Sequence, residues 1–178
     1  MLASIQHATT GAPRIPMPLS GDGDICELLR RDHESVLAKV EIMRMESDSR
    51  RCLDLLRDVR RAWVIHALAE ETVVYRNLES IEAALESRSR ADERLVEDKL
   101  VEAFFERLGQ SRPGTRKWHA RLNVVKVIIL QHVAAEHDDM FARLETHFDA
   151  GARKDMARRF ASAKEKLTLL EEAKAPSV

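Results

Sequence analysis

A repeating pattern of apolar and polar positions begins after Asp24, and its period of about 3.6 residues is that of an α-helix. Apolar side chains recur on one face of this first stretch: Ile25, Leu28, Leu29, Val36, Leu37 and Val40. Ser47, Asp48 and Ser49 then interrupt the pattern and offer a new N-cap. The pattern predicts a first helix from about Ile25 to Met45 and a second from about Arg50 to near Ser80.

Three further helices follow in the same way. The third begins between Ile81 and Ala91 and ends at Leu108-Gly109, where glycine suits the C-cap. After the strong turn signal of residues 111–115, a fourth helix runs to about Phe148, and a fifth covers roughly residues 152–172. Because short connections make neighbouring helices antiparallel, the predicted fold is all-α, an up-down-up-down four-helix bundle with an extra C-terminal helix.

The chain divides into three parts on this pattern. Residues 1–21 contain three prolines and no sustained apolar period, which predicts a flexible N-terminal segment. Residues 22–150 form the bundle, and residues 151–178 form the C-terminal helix and tail, whose apolar positions make a homodimer surface an alternative to plain packing.

Composition narrows the function classes. Charged residues make up 33% and aromatic residues 4% of the chain, a mixture that favours helices. A net charge of −1 gives no electrostatic reason to expect binding to nucleic acid or to an anionic membrane. No apolar run approaches the roughly 20 residues that span a bilayer, the first twenty residues lack the charged and apolar regions typical of a signal peptide, and the two cysteines form no CxxC pair. We therefore expect a cytoplasmic protein.

The candidate chemistry lies in ionisable residues that interrupt the apolar faces. Six of them occupy predicted inward positions: His33 on the first helix, His66 and Glu70 on the second, Glu93 on the third, and His132 and Glu136 on the fourth. Each His-x-x-x-Glu pair puts an imidazole and a carboxylate on one helix face, about 5–6 Å apart. Taken alone, such a pair is more often an exposed ion pair. Several at one level of a bundle favour a metal site, because unpaired buried charges are costly.

Imidazole and carboxylate donors without thiolate suit iron, manganese or zinc. A metal-free structural bundle is the alternative to such a site. A zinc hydrolase is a weaker alternative, because the chain lacks the His-Glu-x-x-His pattern of that class.

Three segments resemble the hemerythrin-like (HHE cation-binding) family in order and separation. They are Leu28-Leu29-Arg30-Arg31-Asp32-His33, His66-Ala-Leu-Ala-Glu70-Glu71, and His132-Val-Ala-Ala-Glu136. The resemblance implies an oxo- or hydroxo-bridged di-iron centre cycling between Fe²⁺ and Fe³⁺, for which Zn or Mn could substitute. In that centre, the three histidines would be terminal ligands, and the two glutamates the bridging carboxylates.

The chain departs from the family pattern at two relevant positions. Glu93 stands where the family usually has a helix 3 histidine, and His137 stands where it tends to have a second glutamate. Since His137 lies five residues after His132, it is an alternative to Glu136 as the helix 4 partner. An added carboxylate at Glu93 would favour ferric iron, which argues against reversible oxygen carriage.

The resemblance implies a non-haem di-iron protein that reacts with or senses O₂, peroxide or NO, in stress response or in iron handling. Its partner would be a diatomic molecule or peroxide. The alternative is a metal-dependent regulatory or interaction module without catalysis.

Overall fold

The computed structural model describes the backbone of residues 23–81 and 85–174. Side chains are described for residues 23–81 and 92–173. All regular secondary structure in these ranges is helical, which confirms the all-α prediction. The predicted flexible segment 1–21 and the tail 175–178 lie outside the described residues. None of the described helices combines the length and the apolar character that crossing a bilayer requires.

Five helices follow one another along the described chain. Helix α1 is Ile25–Met45, α3 is Leu85–Gly109 and α5 is Ala150–Lys174. Helices α2 and α4 are each interrupted by one π-helical turn. Helix α2 consists of Ser49–Glu70, the π turn Glu71–Tyr75 and Arg76–Ile81, and α4 consists of Arg116–Ala135, the π turn Glu136–Met140 and Phe141–His147. The predicted ends of α1, α2 and α4 agree with these bounds to within one or two residues.

Side-chain caps define where the helices begin. Asp24 accepts a hydrogen bond from the backbone N–H of Cys26 at 2.9 Å, and Asp48 accepts one from Arg51 at 2.8 Å. Thr115 caps α4 in the same way, directly after Gly114, whose φ of 75° is a left-handed value that glycine adopts without a steric penalty. These caps satisfy N–H groups that have no partner inside the helix.

Two apolar clusters hold the helices together. In each cluster, the beginning of one helix packs against the end of the helix next to it in the chain. The first contains the beginning of α1, the end of α2, the end of α4 and the middle of α5. The second contains the end of α1, the beginning of α2, the end of α3 and the beginning of α4. This pairing is the one expected when sequence neighbours run antiparallel. Helix α5 packs against α1 and α2.

Helix α3 is rotated relative to the sequence prediction. Glu93 is exposed, so its predicted inward position was wrong, and the apolar residues on the same face, Val96 at 66% and Leu100 at 46%, are exposed as well. The buried face instead consists of Asp98, Val101, Phe105 and Leu108. Apolar residues occur here in adjacent pairs, such as Leu100-Val101, and each member of a pair lies on a different face, about 100° apart. Packing against the beginning of α4 selects the second member.

The corrected phase of α3 can be tested with two identical substitutions. Val101→Ala should lower the free energy of unfolding by about 2 kcal/mol, because it removes buried methyl groups and leaves a cavity. Val96→Ala on the same helix should change it by no more than about 0.5 kcal/mol, because that side chain is 66% exposed. Urea denaturation followed by circular dichroism measures both. Equal losses would contradict the structure.

Candidate metal centre

Five of the six predicted donors meet at one level of the structure, between the two apolar clusters. His33 lies between Leu29 and Val36 on α1, and His66 and His132 occupy corresponding places on α2 and α4. Relative exposure is 1% for His33 and His66, and 0% for His132. Glu70 and Glu136 are 0% and 1% exposed. The helical spacing that predicted an inward position was therefore correct for these five residues.

The Nε2 atoms of the three histidines point into a shared space. Those of His33 and His66 are 3.0 Å apart, and the ring centroids of His33 and His132 are 6.1 Å apart. One donor atom from each histidine and one from Glu136 all lie within 4.8 Å of one another. Such a set could hold a metal ion.

The carboxylate of Glu136 lies between two of the imidazoles. Its Oε1 is 2.9 Å from His132 Nε2, and its Oε2 is 3.2 Å from His33 Nε2. On the other side, Glu70 Oε2 is 3.4 Å from His66 Nε2. One carboxylate thus presents its two oxygens to two separate nitrogen donors, as a bridging ligand would.

Several of these buried polar atoms have no hydrogen-bond partner in spite of their close neighbours. Both oxygens of Glu70, Oε2 of Glu136 and both ring nitrogens of His132 are in this state. A buried polar group without a hydrogen bond costs free energy, and an unpaired buried charge costs several kcal/mol. A cation bound at the centre would satisfy these lone pairs, so the residues fit a metal.

Each imidazole also has a polar neighbour on the side away from the centre. The Nδ1 atoms of His66 and His132 lie 3.3 Å from Asp32 Oδ2 and 3.4 Å from Glu97 Oε2. His33 Nδ1 lies 3.4 Å from the Nε2 of His137. At His66, an outer carboxylate that accepts the Nδ1 proton leaves Nε2 free to bind metal, an arrangement typical of metal-bound histidines.

The two π turns lie at the glutamates of the two His-x-x-x-Glu pairs. The first begins at Glu71, directly after Glu70, and the second begins at Glu136 itself. A π turn widens the helix and changes the phase of the residues that follow, and such turns are frequent at functional sites. Tyr75, the last residue of the first turn, is directed back to the centre and donates a hydrogen bond from its hydroxyl to Glu136 Oε1 at 2.6 Å.

The electrostatics of the centre divide the histidines into two kinds. Burial lowers the pKa of His33 to about 4. Burial acts the same way on His66, but the negative charges of Glu70 and Asp32 outweigh it and raise its pKa to about 10. The pKa of His132 is also raised, because Glu136 and Glu97 outweigh the effect of burial. Burial and the neighbouring Glu136 raise the pKa of Glu70 to about 7.

Two sequence assignments are resolved by this geometry. Glu93 is exposed on α3 and is not among the residues that converge on the centre. On α4, Glu136 is the residue inside the cluster, whereas His137 is half-buried, stacks on Phe141 and contacts His33 from outside. His137 therefore does not take the place of Glu136.

Sequence reasoning missed the acidic residues that support the donors. Asp98 is 8% exposed on α3, with Oδ1 at 3.9 Å from His132 Nδ1, and burial raises its pKa to about 6. The shifted phase of α3 concealed Asp98 and Glu97, and the π turn brings Tyr75 closer than regular helical spacing indicates. Asp32 directly precedes a ligand candidate, which was the available signal for it.

Matched glutamine substitutions test which glutamates bind metal. Glu136→Gln should lower Fe²⁺ affinity by more than about 100-fold, because it removes a donor rather than an outer partner of one. Glu93→Gln makes the same chemical change on an exposed residue and should leave the affinity unchanged. Anaerobic competition titration with a chromophoric chelator measures both. A comparable loss in the two variants would contradict the site.

Metal binding should release protons. In the metal-free protein the raised pKa values of His66 and His132 keep both protonated at pH 7, and a ligand Nε2 must be deprotonated. Affinity should therefore rise with pH, by about tenfold per pH unit for each proton released, until the pH passes the raised pKa values. Calorimetric titration of Zn²⁺ in buffers of different ionisation enthalpy measures this release. An enthalpy independent of the buffer would contradict the prediction.

Comparison with known proteins does not assign the chain to a family. No protein-family model matches it, and no solved structure matches it significantly. A DNA nickase of Nostoc sp. is 22% identical over 146 residues, which cover 82% of this chain and 40% of that protein. The chain thus spans about two-fifths of the length of the relative it matches.

Proposed function

We propose that this chain is a hemerythrin-like, non-haem di-iron protein that reacts with or senses O₂, peroxide or NO, or handles iron. The observation that carries the proposal is the convergence of three imidazoles and the Glu136 carboxylate, with the buried Glu70 carboxylate beside His66 and unsatisfied oxygens on both glutamates. Its fold would be an up-down-up-down four-helix bundle of α1 to α4, with α5 packed outside. The antiparallel pairing of helix ends in the two apolar clusters supports that arrangement.

The donor types and their grouping favour two ions of iron. Imidazole and carboxylate together suit iron, with manganese or zinc as substitutes. Glu136 directs Oε1 to His132 and Oε2 to His33, so each oxygen could bind one of two neighbouring ions. Glu70 and His66 complete the second position, where both carboxylate oxygens lack a hydrogen bond.

The exposure of Glu93 removes the reason to expect a preference for ferric iron. Ferric preference was expected from an added carboxylate on α3, and that carboxylate lies outside the centre. The remaining donors are three imidazoles and two carboxylates. The proposal of small-molecule chemistry rests instead on the depth of the site.

Burial restricts what can reach the donors. The five residues are 0–1% exposed, so a diatomic molecule or peroxide is the appropriate size of ligand. Iron held there would supply electrons or an open coordination position to such a molecule. Tyr75 holds Glu136 by a hydrogen bond, and the buried Trp63 ring lies 5.2 Å from the His132 ring, centroid to centroid. A phosphodiester of duplex DNA, suggested by the name of the Nostoc protein, is too large for this depth.

A second candidate is a metal-dependent regulatory or interaction module. It is favoured by the origin of the donors, which come from α1, α2 and α4 and would be tied together by the metal. A ligand that binds only the folded state stabilises that state by mass action. Metal occupancy alone could then control an exposed surface without turnover.

The first experiment measures iron content and the near-ultraviolet and visible absorption of protein expressed with added iron. We expect about two irons per chain, as a carboxylate-bridged pair requires, and absorption bands that change on adding azide or peroxide. His66→Ala should lose most of the iron and the bands. Iron-free wild-type protein, with no gain in stability on adding metal, would refute the proposal.

The matched control is His119→Ala, which removes a half-buried imidazole from α4. His119 is about 20 Å along the helix from His132, from the helical rise per residue, so iron content should be unchanged. Peroxide consumption lost in His66→Ala but kept in His119→Ala would favour the redox function. A metal-dependent change of association state without peroxide consumption would favour the regulatory module.

A further inference from the structure

Helix α5 contacts the metal centre, although none of the donors lies on it. Phe160 on α5 is fully buried, and its ring meets the ring of His66 edge to face at 5.8 Å between centroids. One helical turn further along, the ammonium of Lys164 lies 5.5 Å from the Phe160 ring centroid. Phe160 therefore covers the back of His66, and Lys164 contacts Phe160 in turn.

Lys164 reaches His66 through one intermediate residue. Its Nζ donates a hydrogen bond to Asp32 Oδ2, the same oxygen that lies 3.3 Å from His66 Nδ1. Lys164 and Asp32 are partly buried, with side-chain exposures of 16% and 20%. A carboxylate oxygen has two lone pairs, so Asp32 Oδ2 can accept from both groups at once.

The ion pair determines the direction of the second hydrogen bond. A carboxylate paired with an ammonium is ionised and can only accept, so the proton between Asp32 and His66 belongs to Nδ1 of the imidazole. In the neutral ring, Nε2 then carries the lone pair that faces the centre. Without its ammonium partner, the Asp32 side chain has rotamer freedom and no fixed direction.

We infer that Lys164 is a positioning residue, which acts through Asp32 to hold the His66 ring with Nδ1–H outward and Nε2 toward the metal centre. The residue lies outside the segment that supplies the donors, so α5 is a functional part of the site. The gain in metal affinity rests on the proposed function. The Nδ1–H hydrogen bond does not, because it exists in the metal-free protein.

The tested variant is Lys164→Met, which keeps the length of the side chain and removes its charge. Its control is Lys166→Met, two residues away on the exposed face of the same helix. Lys164→Arg keeps the positive charge and should restore the contact. The unfolding temperature of each variant separates a loss of positioning from a general loss of stability.

The first readout is the His66 Nδ1–H signal in ¹⁵N-correlated NMR of the metal-free protein. Wild type should show a downfield proton that exchanges slowly with water, and so should Lys166→Met and Lys164→Arg. In Lys164→Met its exchange should be at least about tenfold faster, or the signal should be lost. This measurement needs no metal.

The second readout is Fe²⁺ affinity by anaerobic competition. Lys164→Met should bind about 10-fold more weakly, within the range for loss of an outer partner of a metal-bound histidine. Added to Asp32→Asn, the same change should have little further effect, because the two residues act in series.

Three outcomes would overturn the inference: a wild-type Nδ1–H without protection, equal behaviour of Lys164→Met and Lys166→Met, or a lower unfolding temperature without change in either readout. If wild type binds no Fe²⁺, the proposed function fails, and the NMR comparison still decides whether Lys164 positions His66.

Discussion

The rest of the structure depends on how the chain accommodates five ionisable side chains in its interior. Glu70 and Glu136 are buried beside one another, and each raises the cost of ionising the other. In the metal-free protein, the imidazoles of His66 and His132, whose pKa values are raised, supply part of the compensating positive charge by binding protons. A metal cation supplies it more completely, because it also satisfies oxygens that lack hydrogen bonds. Metal binding and folding stability are therefore expected to be coupled.

The helices around the centre have two roles, to carry the metal donors or to carry the side chains that orient them. Helices α1, α2 and α4 carry the donors, and the apolar clusters above and below fix their separation. The other two helices carry the supports, with Glu97 and Asp98 of α3 near His132, and Lys164 of α5 connected to His66 through Asp32. Side chains that hold a ligand in one orientation influence metal affinity as ligands do, although to a smaller degree.

The π turns explain how two similar sequence blocks build one asymmetric site. One turn begins directly after the glutamate of a His-x-x-x-Glu pair and the other begins at that glutamate, and each changes the phase of the residues that come next. Tyr75, the last residue of the first turn, faces inward and holds Glu136. His137, the second residue of the second turn, remains outside and meets His33 at its Nδ1 edge. The same local distortion thus brings the Tyr75 hydroxyl to the Glu136 carboxylate in one helix. In the other, it leaves the His137 imidazole on the outer side of His33.

Periodicity along the chain was sufficient to predict the all-α class, the extents of α1, α2 and α4, and the inward position of His33, His66, Glu70, His132 and Glu136. In these helices the apolar residues define a single face, so the polar residues that interrupt this face must also point inward. Helix α3 was different, because its apolar residues come in adjacent pairs and fit two faces equally. Packing against α4 chose the face that buries Asp98 and exposes Glu93. The contacts of Lys164 with Asp32 and of Tyr75 with Glu136 join residues 132 and 61 positions apart. Only the tertiary structure could bring them together, since local spacing carries no information about partners so distant in the chain.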